Sequence, residues 1–144
     1  MTTTVKSYAA FDPESSLGAW DLERRVTEPK DVAIEIRYCG VCHSDLHSAK
    51  NHWGNTHYPL VPGHEIVGVV SEVGSDVTKH KVGDWVAVGC LVDSCGQCGS
   101  CHEGEEQYCE RGSIGTYGSV GRDGKPTQGG YSQKLVVVEE FVLR

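Results

Sequence analysis

The sequence predicts a mainly β domain with few, short helices. Glycine makes up 18 of 144 residues, well above the roughly 7% of average usage. Aromatic residues are few, and the apolar residues fall in short β-branched runs bounded by Gly, Asp and Ser. That is the pattern of strands joined by turns. The length suits a single domain with a real core.

Each element follows from its own stretch. In "DVAIEIRYC", Val32, Ile34, Ile36 and Tyr38 alternate with Ala33, Glu35 and Arg37, so the first set is expected to face the core. "CHSDLHSAK" has the length and polarity of a short surface helix. "IVGVVSEVGSDV" is a β-branched run closed by turn residues. "KVGDWVAVGC" sets Gly83-Asp84 ahead of another apolar run, and "GGYSQKLVVVEEFVLR" opens on glycines and leads into the last. Ser113 to Gly130 is polar and glycine-rich and reads as a long loop.

Composition also excludes partners. A formal net charge of −7 offers no basic patch to nucleic acid or to an anionic membrane surface. The densest basic spot, Glu23-Arg24-Arg25, reads as solvated surface. The N-terminal stretch lacks the charged start and apolar run of a secretory signal. No run approaches the roughly 18 apolar residues a membrane helix needs. A cytoplasmic protein is expected, and in a reducing compartment clustered cysteines favour metal ligation over disulfides.

Cys95, Cys98, Cys101 and Cys109 stand in a C-x2-C-x2-C-x7-C pattern. Tetrahedral zinc takes four donors at about 2.3 Å, and C-x2-C turns supply two at a time. Gly96 and Gly99 permit the tight backbone. Four thiolates would leave no position for substrate, so a structural zinc is expected, ahead of an iron–sulfur cluster and of disulfides.

A second constellation lies in "GVCHSDLH" and "GHEIVG". Cys42 and His64 provide a thiolate and an imidazole, and Glu65 a possible third donor, as in catalytic zinc sites that keep one position open. Asp45 is placed to accept a hydrogen bond from the outer nitrogen of His64. Ser44 and His47 are candidates to carry protons. His52, His57, His80 and His102 read as surface histidines, and Cys39 and Cys90 as small core residues.

These motifs together resemble the zinc-dependent medium-chain alcohol dehydrogenases. "GHEIVGVVSEVGSDV" has the spacing of that family's signature, through Gly63, His64, Glu65, Gly68, Gly74 and Val77. "CGVCHSDLH" and the four-cysteine stretch follow the family's order. "WGNTHYPLVPGHE" and "GGYSQKLVV" look like the cinnamyl-alcohol-dehydrogenase branch, which includes bacterial NADP-dependent aldehyde reductases. The resemblance implies a GroES-like, partly open β-barrel over residues 1–144, with a projecting structural-zinc lobe over about residues 90–112. It implies that Cys42 and His64 bind a catalytic zinc, with Glu65 as an alternative ligand. Ser44 would take the alcohol's proton, His47 would pass it outward, and Asp45 would brace His64. His43 would face the cofactor pyrophosphate and Trp53 would line the substrate pocket. The reaction implied is hydride transfer between NADP(H) and a primary alcohol or aldehyde, in a full-length protein that could associate as a homodimer.

No G-x-G-x-x-G follows a strand, and "GSIGTYGSVG" lacks the strand and helix such a site needs. The nucleotide-binding domain, and with it the usual third cysteine ligand, is therefore expected to lie outside this chain. On that reading the 144 residues alone are inactive. The alternative reading is a stand-alone zinc-binding β-barrel module acting through protein interaction. Retention of Ser44, Asp45, His47 and Glu65 favours the enzyme.

Overall fold

The computed structural model describes residues 2–144. The chain is mainly strand. β1 (Thr2–Ala9) and β2 (Gly18–Arg25) form a hairpin, followed by β3 (Asp31–Gly40), α1 (His43–Ala49), β4 (Glu65–Val73) and β5 (Trp85–Val88). Then come β6 (Leu91–Asp93), α2 (Gly99–His102), β7 (Ile114–Gly115) and β8 (Lys134–Val138). Short 3-10 turns span Glu106–Tyr108 and Glu139–Phe141. The central sheet runs β5-β4-β3-β8, flanked by the β1-β2 hairpin and a β6-β7 ribbon. Every strand pair is antiparallel. Among the described residues there is thus no parallel βαβ unit of the kind that binds dinucleotides.

The core is the inner face of the central sheet. Val32 and Ile34 of β3, Ile66 and Val70 of β4, Val86 and Val88 of β5, and Leu135 and Val137 of β8 form one buried cluster. A smaller cluster of Val5, Ala9, Leu22 and Val61 fills the space under the hairpin. β1 joins the body through main-chain bonds: Tyr8 N–H donates to the Tyr131 carbonyl (2.9 Å), and Gln133 N–H to that of Lys6 (3.0 Å).

Three expectations are corrected here. Tyr38 is 69% exposed, whereas Ala33 is buried and Cys39 half-buried against the core. The register explains it: Ile36 pairs with Gly68 and Tyr38 with Val67, so Arg37 is an extra residue in β3. A bulge of this kind reverses which side chains face inward. Arg24, expected in solvent, is buried, and donates to the Gln128 carbonyl (2.7 Å), the Gly129 carbonyl (2.8 Å) and Ser132 Oγ (2.9 Å). Burial without a carboxylate partner pulls its guanidinium down to about 9. Arg25 beside it pairs through both terminal nitrogens with buried Asp31. His80, expected on the surface, is only 8% exposed, and neither ring nitrogen meets a partner among the described residues.

The segment from Ser113 to Gly130 is largely irregular, as expected, but it is tied down. Thr116 N–H donates to the Cys90 carbonyl (3.0 Å), and Thr127 N–H to that of Ser119 (2.8 Å). The tether brings Tyr117 and Gln128 to the site. No helix of the described residues is long and apolar enough to cross a membrane.

Candidate metal centres

Strand β3 ends at Gly40, and Cys42 then opens helix α1 as its N-cap residue. The second segment, Pro62-Gly63-His64, runs into β4 at Glu65, which pairs in register with Gly40. Glycine is required at both junctions. A Cβ on Gly40 would lie 2.2 Å from Glu65 Oε2, and Gly63 has φ +101° with Tyr131 and Cys39 packed on it. The two segments thereby bring Cys42, His64 and Glu65 together, with one donor atom of each within 4.8 Å of the others. Cys42 and His64 are half-buried and Glu65 is exposed.

Ser44, in the first turn of α1, stands over this pair. Its Oγ donates to Cys42 Sγ (3.1 Å), and lies 3.4 Å from His64 Nε2 and 3.3 Å from Tyr117 Oη. The Tyr117 ring is tilted against that of His64 with centroids 5.4 Å apart. Burial pushes the Tyr117 phenol up to about 12, so it stays protonated as a hydrogen-bonding group. A cavity of about 250 Å³ opens here, lined by Ser44, Trp53, Leu60, His64, Cys90 and Tyr117 among others. Trp53 is 58% exposed at its edge. Cys90 is exposed too and faces this cavity rather than the core, which corrects the expectation for it.

Asp45 acts differently from the expectation. It is 3% exposed and accepts from Cys42 N–H (2.9 Å), Gly63 N–H (3.0 Å) and Tyr131 O–H (3.0 Å). These bonds lock the two donor segments together through their backbones, not through the His64 ring. Burial, and then the Asp45 carboxylate, raise the Tyr131 phenol. Gln128 adds a further strap, accepting from Val61 N–H (2.6 Å) and donating to the Pro59 carbonyl (3.0 Å).

His47 does not reach Ser44. Its Nδ1 lies 2.9 Å from His52 Nδ1, and its ring stacks with those of His43 (4.8 Å) and Trp53 (5.2 Å). His43 and His52 are exposed, as are His57 and His102.

The four remaining cysteines form a separate lobe, closed at its base by β6 and β7. Cys98 caps α2, Cys101 lies in it, and Cys109 follows the 3-10 turn. All seven cysteines of the chain are free thiols. Cys98 Sγ is 3.4 Å and Cys95 Sγ 3.9 Å from Cys101 Sγ. These distances bracket the roughly 3.8 Å that tetrahedral bonds of about 2.3 Å require. Backbone N–H groups of Gln97, Glu110 and Cys95 point at Cys95, Cys98 and Cys109 (3.4 Å each) and pull those thiols down. Both donor sets fit a metal: one is closed, the other open to a cavity.

Residues 28–144 match the alcohol dehydrogenase GroES-like domain. The chain belongs to this family. Within it, the chain is 55% identical over 142 residues to the NADP-dependent alcohol dehydrogenase C of Mycobacterium bovis, covering 99% of this chain and 41% of that protein. Its fold matches a cinnamyl alcohol dehydrogenase of Sorghum bicolor with a TM-score of 0.94 at 46% identity, over 99% of this chain and 40% of the other. The cinnamyl alcohol dehydrogenase of Helicobacter pylori, solved with NADP(H), matches with a TM-score of 0.93 at 43% identity, over 99% and 41%. The chain thus corresponds to about two fifths of these alcohol dehydrogenases. The GroES-like barrel expected from the sequence is the fold observed.

Proposed function

We propose that this chain is the catalytic-domain portion of a zinc-dependent alcohol dehydrogenase, or aldehyde reductase, that moves hydride between NADP(H) and a primary alcohol or aldehyde. The observation that carries it is the open Cys42–His64–Glu65 set with the Ser44 hydroxyl directly over it, in one cavity. A purely structural metal site needs neither an open cavity nor a hydroxyl lining it beside the donors. The relatives' NADP dependence supports the cofactor.

Cys42 and His64 would hold the catalytic zinc, with Glu65 as an alternative donor. Such a zinc supplies Lewis acidity toward the oxygen of an alcohol or carbonyl. Ser44 Oγ is the first proton acceptor, and Tyr117 Oη holds that hydroxyl from the other side (3.3 Å). His47 would carry the proton outward. Asp45 keeps the two donor segments in register. Trp53, at the cavity edge, would line the substrate pocket, and exposed His43 would face the cofactor pyrophosphate. Cys95, Cys98, Cys101 and Cys109 would hold a structural zinc in a lobe over about residues 90–112. The nicotinamide site belongs to a nucleotide-binding domain not formed by these residues. Seven free thiols and a net charge of −7 support a cytoplasmic setting with neither nucleic acid nor membrane as partner.

A chimera tests this reading. This chain replaces the matching residues of the Mycobacterium bovis relative, and NADPH oxidation with benzaldehyde is followed. The expected result is turnover by the chimera, none by the 144-residue chain alone, and none by the Cys42→Ala chimera. A folded, NADPH-binding chimera that leaves benzaldehyde untouched refutes the proposal.

A further inference from the structure

His47 and His52 meet through their ring nitrogens at a distance that suits a shared proton and equally a shared metal ion. Helix α1 ends at Ala49, and Asn51, with φ +54°, turns the chain back. His52 N–H then donates to the His47 carbonyl (2.9 Å), which closes the turn. The two Nδ1 atoms are left facing each other at 2.9 Å, with the rings steeply inclined at 68°. His47 cannot swing freely, because His43 stacks on it at 12° and Trp53 at 27°.

Two neutral imidazoles meeting nitrogen to nitrogen either share one proton or share a cation. Metal–imidazole bonds run about 2.0–2.1 Å, so two of them at a right angle set the nitrogens about 2.9 Å apart. Right angles are the geometry of square-planar and octahedral ions such as Cu²⁺ and Ni²⁺, for which imidazole is a suitable ligand. A tetrahedral ion would need the rings to separate by about 0.5 Å on the same bond lengths.

We propose that His47 and His52 form a two-imidazole site for a right-angle divalent transition metal, distinct from both cysteine-containing centres. His52 is exposed and His47 half-buried, so water completes the coordination. Stacking and the closed turn hold the nitrogens in place before the ion arrives. Resting on the reading of His47 as outward proton carrier, the site is inhibitory, since a bound ion occupies the Nδ1 that would otherwise take the proton.

The test uses the zinc-loaded chain and Ni²⁺, with no turnover involved. Ni²⁺ is titrated calorimetrically, and histidine ring resonances report which side chains bind. The expected result is one Ni²⁺ per chain, with the His47 and His52 resonances shifted or broadened. His52→Asn, a change on an exposed turn, should weaken binding by at least about 10- to 100-fold, the loss seen for mere outer-shell partners. His57→Asn should bind as the parent does. Unchanged affinity in His52→Asn, perturbation centred on His64 or His57, or no Ni²⁺ uptake at all overturns the proposal. A failed chimera would leave this titration untouched, so the two ideas fail separately.

Discussion

Replacing Asp45 with alanine should cost the fold and the open metal centre together. The carboxylate accepts three hydrogen bonds, from Cys42 N–H, Gly63 N–H and Tyr131 O–H, at 2.9–3.0 Å. Removing it leaves those donors without a partner beside a 3% exposed position. An orphaned buried donor costs about 1–3 kcal/mol, and the recovered desolvation of one charge offsets part of the sum. A net loss of about 3 kcal/mol is expected, out of the roughly 5–15 kcal/mol that holds a domain together. Asp45→Asn should fall between parent and alanine, because its amide NH₂ faces donors. Urea unfolding of the zinc-loaded chain, followed by tryptophan fluorescence, reads the stability, and metal analysis reads the sites. The four-cysteine lobe makes no contact with Asp45 and should keep its zinc, while the Cys42–His64 site loses affinity. An Asp45→Ala chain within about 0.5 kcal/mol of the parent, the range of ordinary surface substitutions, would refute the bracing role.

Three further outcomes are expected. His80→Leu should stabilise the chain by about 1 kcal/mol, because it removes two buried nitrogens that meet no partner among the described residues. A lower urea midpoint for this variant would contradict that. Gly63→Ala should destabilise by more than about 1 kcal/mol, since φ +101° suits only glycine and the new methyl would sit 2.7 Å from the Tyr131 ring. Equal thermal midpoints would show that the loop relaxes freely. In timed iodoacetamide labelling at pH 8, exposed Cys90 should react well before Cys39. Burial pushes the Cys39 thiol from 9.0 up to about 11, which cuts its thiolate by roughly a hundredfold. Equal rates, read by peptide mass spectrometry, would count against that burial.

Much of this was legible because it is local. Cysteine spacing, the apolar runs of β3, β4, β5 and β8, and the polar helix after Cys42 all depend on neighbours a few residues apart. What escaped depends on distant partners. Strand β1 is threonine-rich and β2 is charged, and their loop from Ala10 to Leu17 lacks a short hairpin signal. Arg24 is buried only because Gln128 and Gly129 fold over it from more than 100 positions away. The bulge at Arg37 needs the partner strand to define it, so alternation alone puts Tyr38 on the wrong face. Tyr117 enters the site from a loop with no periodicity, and Tyr131 reaches Asp45 across 86 positions. The glycine pair before Tyr131 was a usable hint, since Gly129 and Gly130 let that segment pack closely on Pro62 and Ile66.

The most direct test of the two-centre reading is zinc retention under chelator competition, by native mass spectrometry of the 144-residue chain. One zinc should resist the chelator and a second should leave readily. Cys98→Ser should abolish the resistant zinc, and Cys42→Ala only the labile one. Resistant zinc that survives Cys98→Ser, or a Cys42→Ala chain that binds as many ions as the parent, would contradict it.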